Sequence, residues 1–259
     1  MSIGKPRMKH EVRVYPDLEH LSRAAAQLFS DQAELATRER GRFLAALTGG
    51  STPKRLFQLL AEDKSGNINW KRAHFFWWDE RCVPPDNPES NYGLARELLF
   101  DPVKAPDENV HRIKGELGPV EASMDYALVL KRFASVPFAW PWFDLVLLGM
   151  GEDGHTASLF PGSPVEATSP TLAVTAHYQD RPAGRVTLTP PVFNKARMIL
   201  FMAVGGSKAL ILDKVLNNGY QPELYPSQRI DPEDGQLIWL LDEAAAHNLP
   251  KSLLKRNEL

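Results

Sequence analysis

The sequence of 259 residues predicts an α/β fold: a doubly wound, mostly parallel sheet, Rossmann-like in plan, with helices on both faces. Three observations carry this reading. Apolar runs of strand length alternate with runs of helical period along nearly the whole chain, several strands stop on glycine just before a helix starts, and the connecting loops are rich in proline, serine and acidic residues. Short apolar strands separated by helices are buried on both faces, which calls for parallel pairing. Ligands of such sheets sit outside the carboxyl ends of the strands, so the residues following each strand are the candidate site.

Residues 11–15 read as the first strand and 18–38 as a long helix. A second strand at 42–48 runs into two glycines, followed by a helix at 53–61. The third strand, 73–78, ends in Asp79-Glu80-Arg81 and leads to a helix at 92–100, with Ser90 as its structural cap. An amphipathic helix at 120–134 precedes a strand at 145–148. Strands near 172–177 and 185–188 come next, then a strand at 196–204 with a helix at 208–217, a last strand at 237–241 and a helical turn at 243–247. Of the loops at 84–88, 161–170 and 221–235, the last is either a lid or a simple connection.

One compact domain spanning 1–259 is expected, because the length suffices for a substantial core and no repeat or low-complexity block interrupts it. The formal charge of -2, from 30 basic and 32 acidic residues, argues against general attraction to nucleic acid or anionic membrane. Any anion site must be local. Cys82 is the only cysteine, which rules out an intrachain disulfide framework or a cysteine-rich zinc site and fits a reducing compartment. The polar, basic start and the absence of a long uncharged stretch point to a soluble, cytoplasmic protein with a small-molecule partner, as a monomer or small homo-oligomer.

Two turns have the form of phosphate cradles. In Leu44-Ala-Ala-Leu-Thr-Gly49-Gly50-Ser51-Thr52-Pro53 a strand ends in paired glycines and a helix begins, with Thr52 as N-cap and Pro53 in its first turn. Glycines let backbone N–H groups approach an anion, the helix terminus carries partial positive charge, and Ser51 and Thr52 add hydroxyl donors. The spacing is not that of a Walker loop. In Leu200-Phe-Met-Ala-Val-Gly205-Gly206-Ser207-Lys208 the form recurs with a lysine in the first helical turn, where a cation opposes the helix dipole. A bound phosphate reverses that penalty; ordinary tight turns between strand and helix are the alternative for both.

The charges Asp79, Glu80 and Arg81 fall at the same sheet edge. Asp79 or Glu80 can act as a base or hold a sugar hydroxyl, and Arg81 can pair with phosphate or carboxylate; a solvated strand end is the simpler reading for Glu80. Arg185, at the start of a strand after Pro182-Ala-Gly184, can reach an anion from a neighbouring loop, although an arginine at a strand start is usually just solvated.

The segment Asp144-Leu-Val-Leu-Leu-Gly-Met-Gly-Glu-Asp-Gly-His155 ends a strand in three glycines and presents Glu152, Asp153 and His155. Its G-x-G-x-x-G spacing raises a dinucleotide site, but two carboxylates against a pyrophosphate, a proline after about two turns and the presence of better phosphate turns oppose it. Asp153 and His155 instead read as an imidazole oriented and made more basic by an acid, able to activate water; a structural histidine is the alternative. No metal is needed, since no second histidine at i+4 supports one.

Together these segments resemble the 6-phosphogluconolactonase family, which is related to the glucosamine-6-phosphate deaminases and isomerases. The resemblance runs from the first strand to Glu243 through Thr48-Gly-Gly-Ser-Thr-Pro53, Asp79-Glu-Arg-Cys-Val-Pro84, Ser90-Asn-Tyr-Gly93, Gly149-Met-Gly-Glu-Asp-Gly-His-Thr-Ala-Ser-Leu-Phe-Pro-Gly162, Arg185-Val-Thr-Leu-Thr189 and Gly205-Gly-Ser-Lys208. It implies hydrolysis of 6-phospho-D-glucono-1,5-lactone without metal or organic cofactor, His155 as general base and Asp153 as its support. Gly49, Gly50, Ser51, Thr52, Asp79, Arg81, Arg185 and Lys208 are the implied phosphate or substrate contacts. An amino-sugar deaminase would carry tyrosine where Arg81 stands and a glutamate in the stretch Ala157-Ser-Leu-Phe-Pro161, so two of its marks are missing. A sensor on the same scaffold would bind sugar phosphates without turnover, which the intact Asp153/His155 pair argues against.

Overall fold

The computed structural model describes residues 10–164 and 167–256. In chain order the strands are β1 (Glu11–Tyr15), β2 (Phe43–Leu47), β3 (Ala73–Trp77), β4 (Asp79–Arg81), β5 (Leu145–Leu148), β6 (Thr171–Thr175), β7 (Gly184–Leu188), β8 (Met198–Ala203), β9 (Gln236–Asp242) and β10 (Leu254–Arg256). The longer helices are α1 (Leu18–Arg40), α2 (Pro53–Glu62), α3 (Asn91–Ala95), α4 (Pro119–Lys131) and α5 (Ala209–Leu216). Seven strands form a parallel sheet in the order β10-β1-β9-β8-β5-β2-β3. Because β5 lies between β2 and β8, the turns that follow these three strands meet at one edge.

Burial explains the strands. Every residue of β2, β5 and β8 is buried, as strands covered on both faces must be. Large rings fill the layers beside them, among them Phe75, Phe76, Trp77, Phe143 and Phe201, all without exposed surface. Helix α1 shows the matching logic on a helix: Leu21, Ala25, Phe29, Ala33 and Ala36 make its buried stripe, Asp17 caps its first turn by accepting the His20 N–H at 2.9 Å, and left-handed Gly41 (φ 75°) ends it.

The strands expected near 172–177 and 185–188 leave the parallel sheet. They pair antiparallel with each other, and β7 pairs antiparallel with β4, in a second sheet of order β4-β7-β6. The loop 176–183 between β6 and β7 is too short for a parallel crossover, which needs a dozen or more residues, so a hairpin is the only pairing open to them. Trp78 joins the two sheets: its N–H donates to the Leu47 carbonyl (3.2 Å), its own carbonyl accepts from the Leu188 N–H (2.7 Å), and its indole N–H donates to Ala46 (3.1 Å).

Four other expectations change. The helix at 92–100 divides into α3 and a π-helical stretch, Arg96–Phe100. The outer face of α4 carries exposed Val120, Met124 and Leu128, so this helix is apolar on both sides rather than amphipathic. Residues 243–247 form turns, with one helical bond from the Ala246 N–H to the Asp242 carbonyl (3.0 Å). Strand β10 lies beyond the last strand expected, being short and polar. Among the described residues, no helix is long and apolar enough to cross a membrane.

Candidate active site

No helix follows β5. The chain instead folds into a tight turn, closed by the Gly151 N–H on the His155 carbonyl (2.9 Å) and by the Thr156 hydroxyl on the Gly149 carbonyl (2.8 Å), with Gly154 left-handed at φ 83°. His155 Nδ1 lies 2.6 Å from Asp153 Oδ1, which also accepts the His155 backbone N–H at 3.1 Å. Burial works to raise the Asp153 carboxyl, but the bonds and charge of His155 outweigh it and hold the group below its ordinary value. Gly151 is required here by contact: a Cβ would lie 2.1 Å from the imidazole Nδ1.

The segment 221–235 is a packed connection rather than a lid. Ser227 donates its N–H (3.0 Å) and its hydroxyl to the Gly154 carbonyl, behind the His155 turn. Buried Arg229 donates to the carbonyls of Pro222 (2.8 Å), Pro164 (2.9 Å) and Ser163 (3.0 Å), tying this segment to the loop after the motif.

The turn after β2 stands beside His155. Gly49 is packed against Asn91 so closely that a Cβ would come within 1.7 Å of its amide oxygen, and Gly50 is left-handed at φ 91°. Thr52 does not cap α2: it has helical φ and ψ and makes no side-chain cap bond, which leaves its hydroxyl at the cavity wall. After β8, Gly205 is left-handed (φ 92°) and its N–H is shared by the two oxygens of Asp242 at 3.0 and 3.1 Å. A single turn, Gly206–Lys208, then opens α5. Burial pulls the Lys208 ammonium below its ordinary value, with Glu152 and Asp153 opposing.

The charges after β3 divide by role. Glu80 is not a solvated strand end: it is buried, and its two oxygens accept from the N–H groups of Arg81 (2.8 Å), Asn91 (2.8 Å) and Tyr92 (2.9 Å) and from the Ser90 hydroxyl (3.1 Å). Burial pushes its carboxyl up to about 7 against the pull of those backbone donors. Ser90 caps α3 as expected, accepting the Gly93 N–H at 3.0 Å. Asp79 faces the cavity and accepts from the Ser158 hydroxyl (2.7 Å) and the Asn91 amide (3.3 Å), which links the acidic turn to the histidine motif.

Arg81 and Arg185 sit opposite each other across the β4–β7 pair, a like-charge arrangement that disfavours the sheet. Arg81 spends Nη1 on Glu89, at 2.7 Å to the carbonyl and 3.2 Å to the carboxylate. Arg185 is only 3% exposed, not the solvated strand start its position suggests, and among the described residues its Nε and Nη2 have no hydrogen-bond partner. Burial pulls its guanidinium below the ordinary value, Asp79 opposes this, and Arg81 and Arg181 add to it. A buried cation with open donors beside other cations is suited to an anionic or strongly polar ligand.

One cavity of about 380 Å³ collects Gly49, Gly50, Ser51, Thr52, Asp79, Arg81, Arg185, Lys208 and His155 on its wall. Asp153 is not on that wall but is held to His155 Nδ1 at 2.6 Å. Asn91, Tyr178 and Arg181 also line it and had no place in the sequence reading. Asn91 was within reach, since it belongs to the Ser90–Gly93 motif; the other two come from a hairpin tip whose position depends on the second sheet. Among the described residues, no group of three or more His, Cys, Asp or Glu side chains is arranged to hold a metal ion.

Known proteins resemble this chain in sequence and in fold. Residues 16–239 match the family model for glucosamine-6-phosphate isomerases/6-phosphogluconolactonase. The 6-phosphogluconolactonase of Nostoc sp. is 38% identical over 244 residues, covering 93% of this chain and 99% of that protein. That of Haemophilus influenzae is 41% identical over 210 residues, covering 79% of this chain and 86% of its own length. The solved 6-phosphogluconolactonase structure from Trypanosoma brucei superimposes with a TM-score of 0.81 at 30% identity, covering 93% of this chain and 99% of that one. The chain belongs to the glucosamine-6-phosphate isomerase/6-phosphogluconolactonase family.

Proposed function

We propose that the protein, acting as one domain in the cytoplasm, hydrolyses 6-phospho-D-glucono-1,5-lactone to 6-phospho-D-gluconate, the lactonase step of the oxidative pentose phosphate pathway. The observation that carries the mechanism is the state of His155: Nδ1 is tied to Asp153 at 2.6 Å, while Nε2 has no hydrogen bond among the described residues and the ring lines the cavity.

With Nδ1–H donated to Asp153, Nε2 accepts a proton from water as the oxygen attacks the lactone carbonyl. The developing imidazolium is stabilised by the adjacent carboxylate. Collapse of the tetrahedral intermediate breaks the bond from carbonyl carbon to ring oxygen, and the same imidazole returns the proton to that oxygen. The phosphate acts as a remote handle, held by the Gly49–Thr52 turn and Lys208, and fixing the carbonyl beside the imidazole contributes several kcal/mol, roughly, through orientation. Asp79, Arg81 and Arg185 complete the substrate contacts, Asp79 accepting from sugar hydroxyls and the arginines donating to oxygens of the ligand.

The test is His155→Ala, assayed for lactone hydrolysis and for binding of 6-phosphogluconate. Turnover should fall by about 10²- to 10⁴-fold, the range for a lost acid–base group, while product affinity stays nearly unchanged. An equal loss of both would make His155 structural. Ammonia release from glucosamine-6-phosphate, followed in parallel with the unaltered enzyme, should stay at background.

A further inference from the structure

We propose that Tyr178 is a positioning residue for His155: with Phe160 and Gly151 it forms a three-sided bracket that fixes the plane of the imidazole so that Nε2 faces the substrate. This rests on the reading of His155 as the base.

The hydrogen bond to Asp153 holds His155 at one nitrogen only. A ring tethered at Nδ1 can still swing about its side-chain torsions, and small displacements of a reacting group are costly in rate. Three contacts close off that motion. The Phe160 ring lies 4.6 Å from the imidazole centroid at 35°, the Tyr178 ring lies 4.8 Å away at 78°, and the two aromatic rings are 5.7 Å apart. On the third side the imidazole rests where a Gly151 side chain would be. The arrangement leaves the His155 side chain 14% exposed.

Phe160 and Gly151 belong to the same motif as His155, but Tyr178 does not. It is delivered by the β6–β7 hairpin of the second sheet, whose tip is closed by the Ala176 N–H on the Ala183 carbonyl (2.9 Å) and the Arg181 N–H on the Tyr178 carbonyl (3.1 Å). Gln179 and Asp180 follow with φ of 51° and 53°, two successive residues in the left-handed region, which non-glycine residues rarely adopt. Such strain persists where the surroundings impose it, here at the point where the hairpin presents Tyr178 to the histidine. Burial, followed by the charges of Asp153 and Glu152, pushes the Tyr178 phenol above its ordinary value, so the hydroxyl stays protonated. The proposed role is that of the ring, which packs against the imidazole, and the phenylalanine variant separates it from the bond between the hydroxyl and the Glu152 backbone.

The experiment compares Tyr178→Phe and Tyr178→Leu in the full chain by steady-state kinetics and by proton NMR of the His155 ring. Tyr178→Leu should lower kcat about tenfold with KM changed less than about twofold, and Tyr178→Phe should stay within about twofold of the parent in both. In the parent and in Tyr178→Phe the His155 carbon-bound protons should carry ring-current shifts that are reduced in Tyr178→Leu. Tyr178→Met fills more of the same volume and serves if the leucine variant does not fold. Unchanged kcat in Tyr178→Leu, a kcat loss without a change in the His155 signals, or equal losses in the phenylalanine and leucine variants would each overturn the proposal. His155→Ala in the same series separates the two ideas: if it remains active, the reading of His155 as base fails, whereas an inactive His155→Ala beside a neutral Tyr178→Leu removes only the bracket.

Discussion

The turns after β2 and β8 are near copies in sequence, each a buried strand followed by Gly-Gly-Ser, yet they are built differently. The first opens its whole length, Thr48 to Pro53, to the cavity, and its Gly49 gives up a side chain so that Asn91 can lie against it. The second has already committed its leading amide: the Gly205 N–H is held by Asp242, a carboxylate occupying the place a phosphate oxygen would take. Only Val204, Ser207 and Lys208 of that turn reach the cavity wall. The difference teaches that a glycine-ended strand supplies an amide, while the neighbouring strand decides who receives it. One turn lines the cavity along its whole length, and the other brings a lysine to its wall.

This contrast can be broken at three points, in order of expected effect. Gly49→Ala must drive Asn91 away and with it the bond to Asp79, so kcat/KM should fall about 100-fold, the penalty for misplaced site groups. A variant with parent activity would mean that the packing of Gly49 on Asn91 has no bearing on the site. Lys208→Ala removes the charge-assisted contact proposed for the phosphate and should raise KM for the phosphorylated lactone about tenfold or more, with little effect on unphosphorylated gluconolactone. If both substrates suffer alike, Lys208 does not serve the phosphate. Gly205→Ala meets no neighbour within 4 Å but keeps a left-handed backbone, so it should destabilise the fold by about 1–2 kcal/mol in urea titration and leave kcat/KM nearly intact. A large activity loss there would restore the second turn as a cradle.

Much of the architecture was legible because it is local. The buried strands β2, β5 and β8 are continuous apolar runs, and each ends in a turn marked by glycine or charge, which located the cavity edge. The Asp153–His155 pair was legible because two residues in one tight turn must be neighbours. What escaped depends on contacts between distant segments. Nothing near Glu80 says that four donors from the following turn and helix will enclose it, or that Arg185 will be buried opposite Arg81. The apolar runs at β6 and β7 read like any other strand, and only the short loop between them separates a hairpin from a crossover. Tyr178 owes its place to that hairpin, and the short β10 finds its partner only when the ends of the chain come together.

Trp78 has a consequence for how the cavity can move. A hinge needs backbone groups that can change partners, but the N–H of this residue is fixed in one sheet, its carbonyl in the other, and its fully buried indole is bonded across the strand beside it. The wall that carries the glycine turn and the wall that carries the two arginines are therefore joined directly through this one residue. The width of the cleft between those walls is thus set by the join of the two sheets rather than by a hinge.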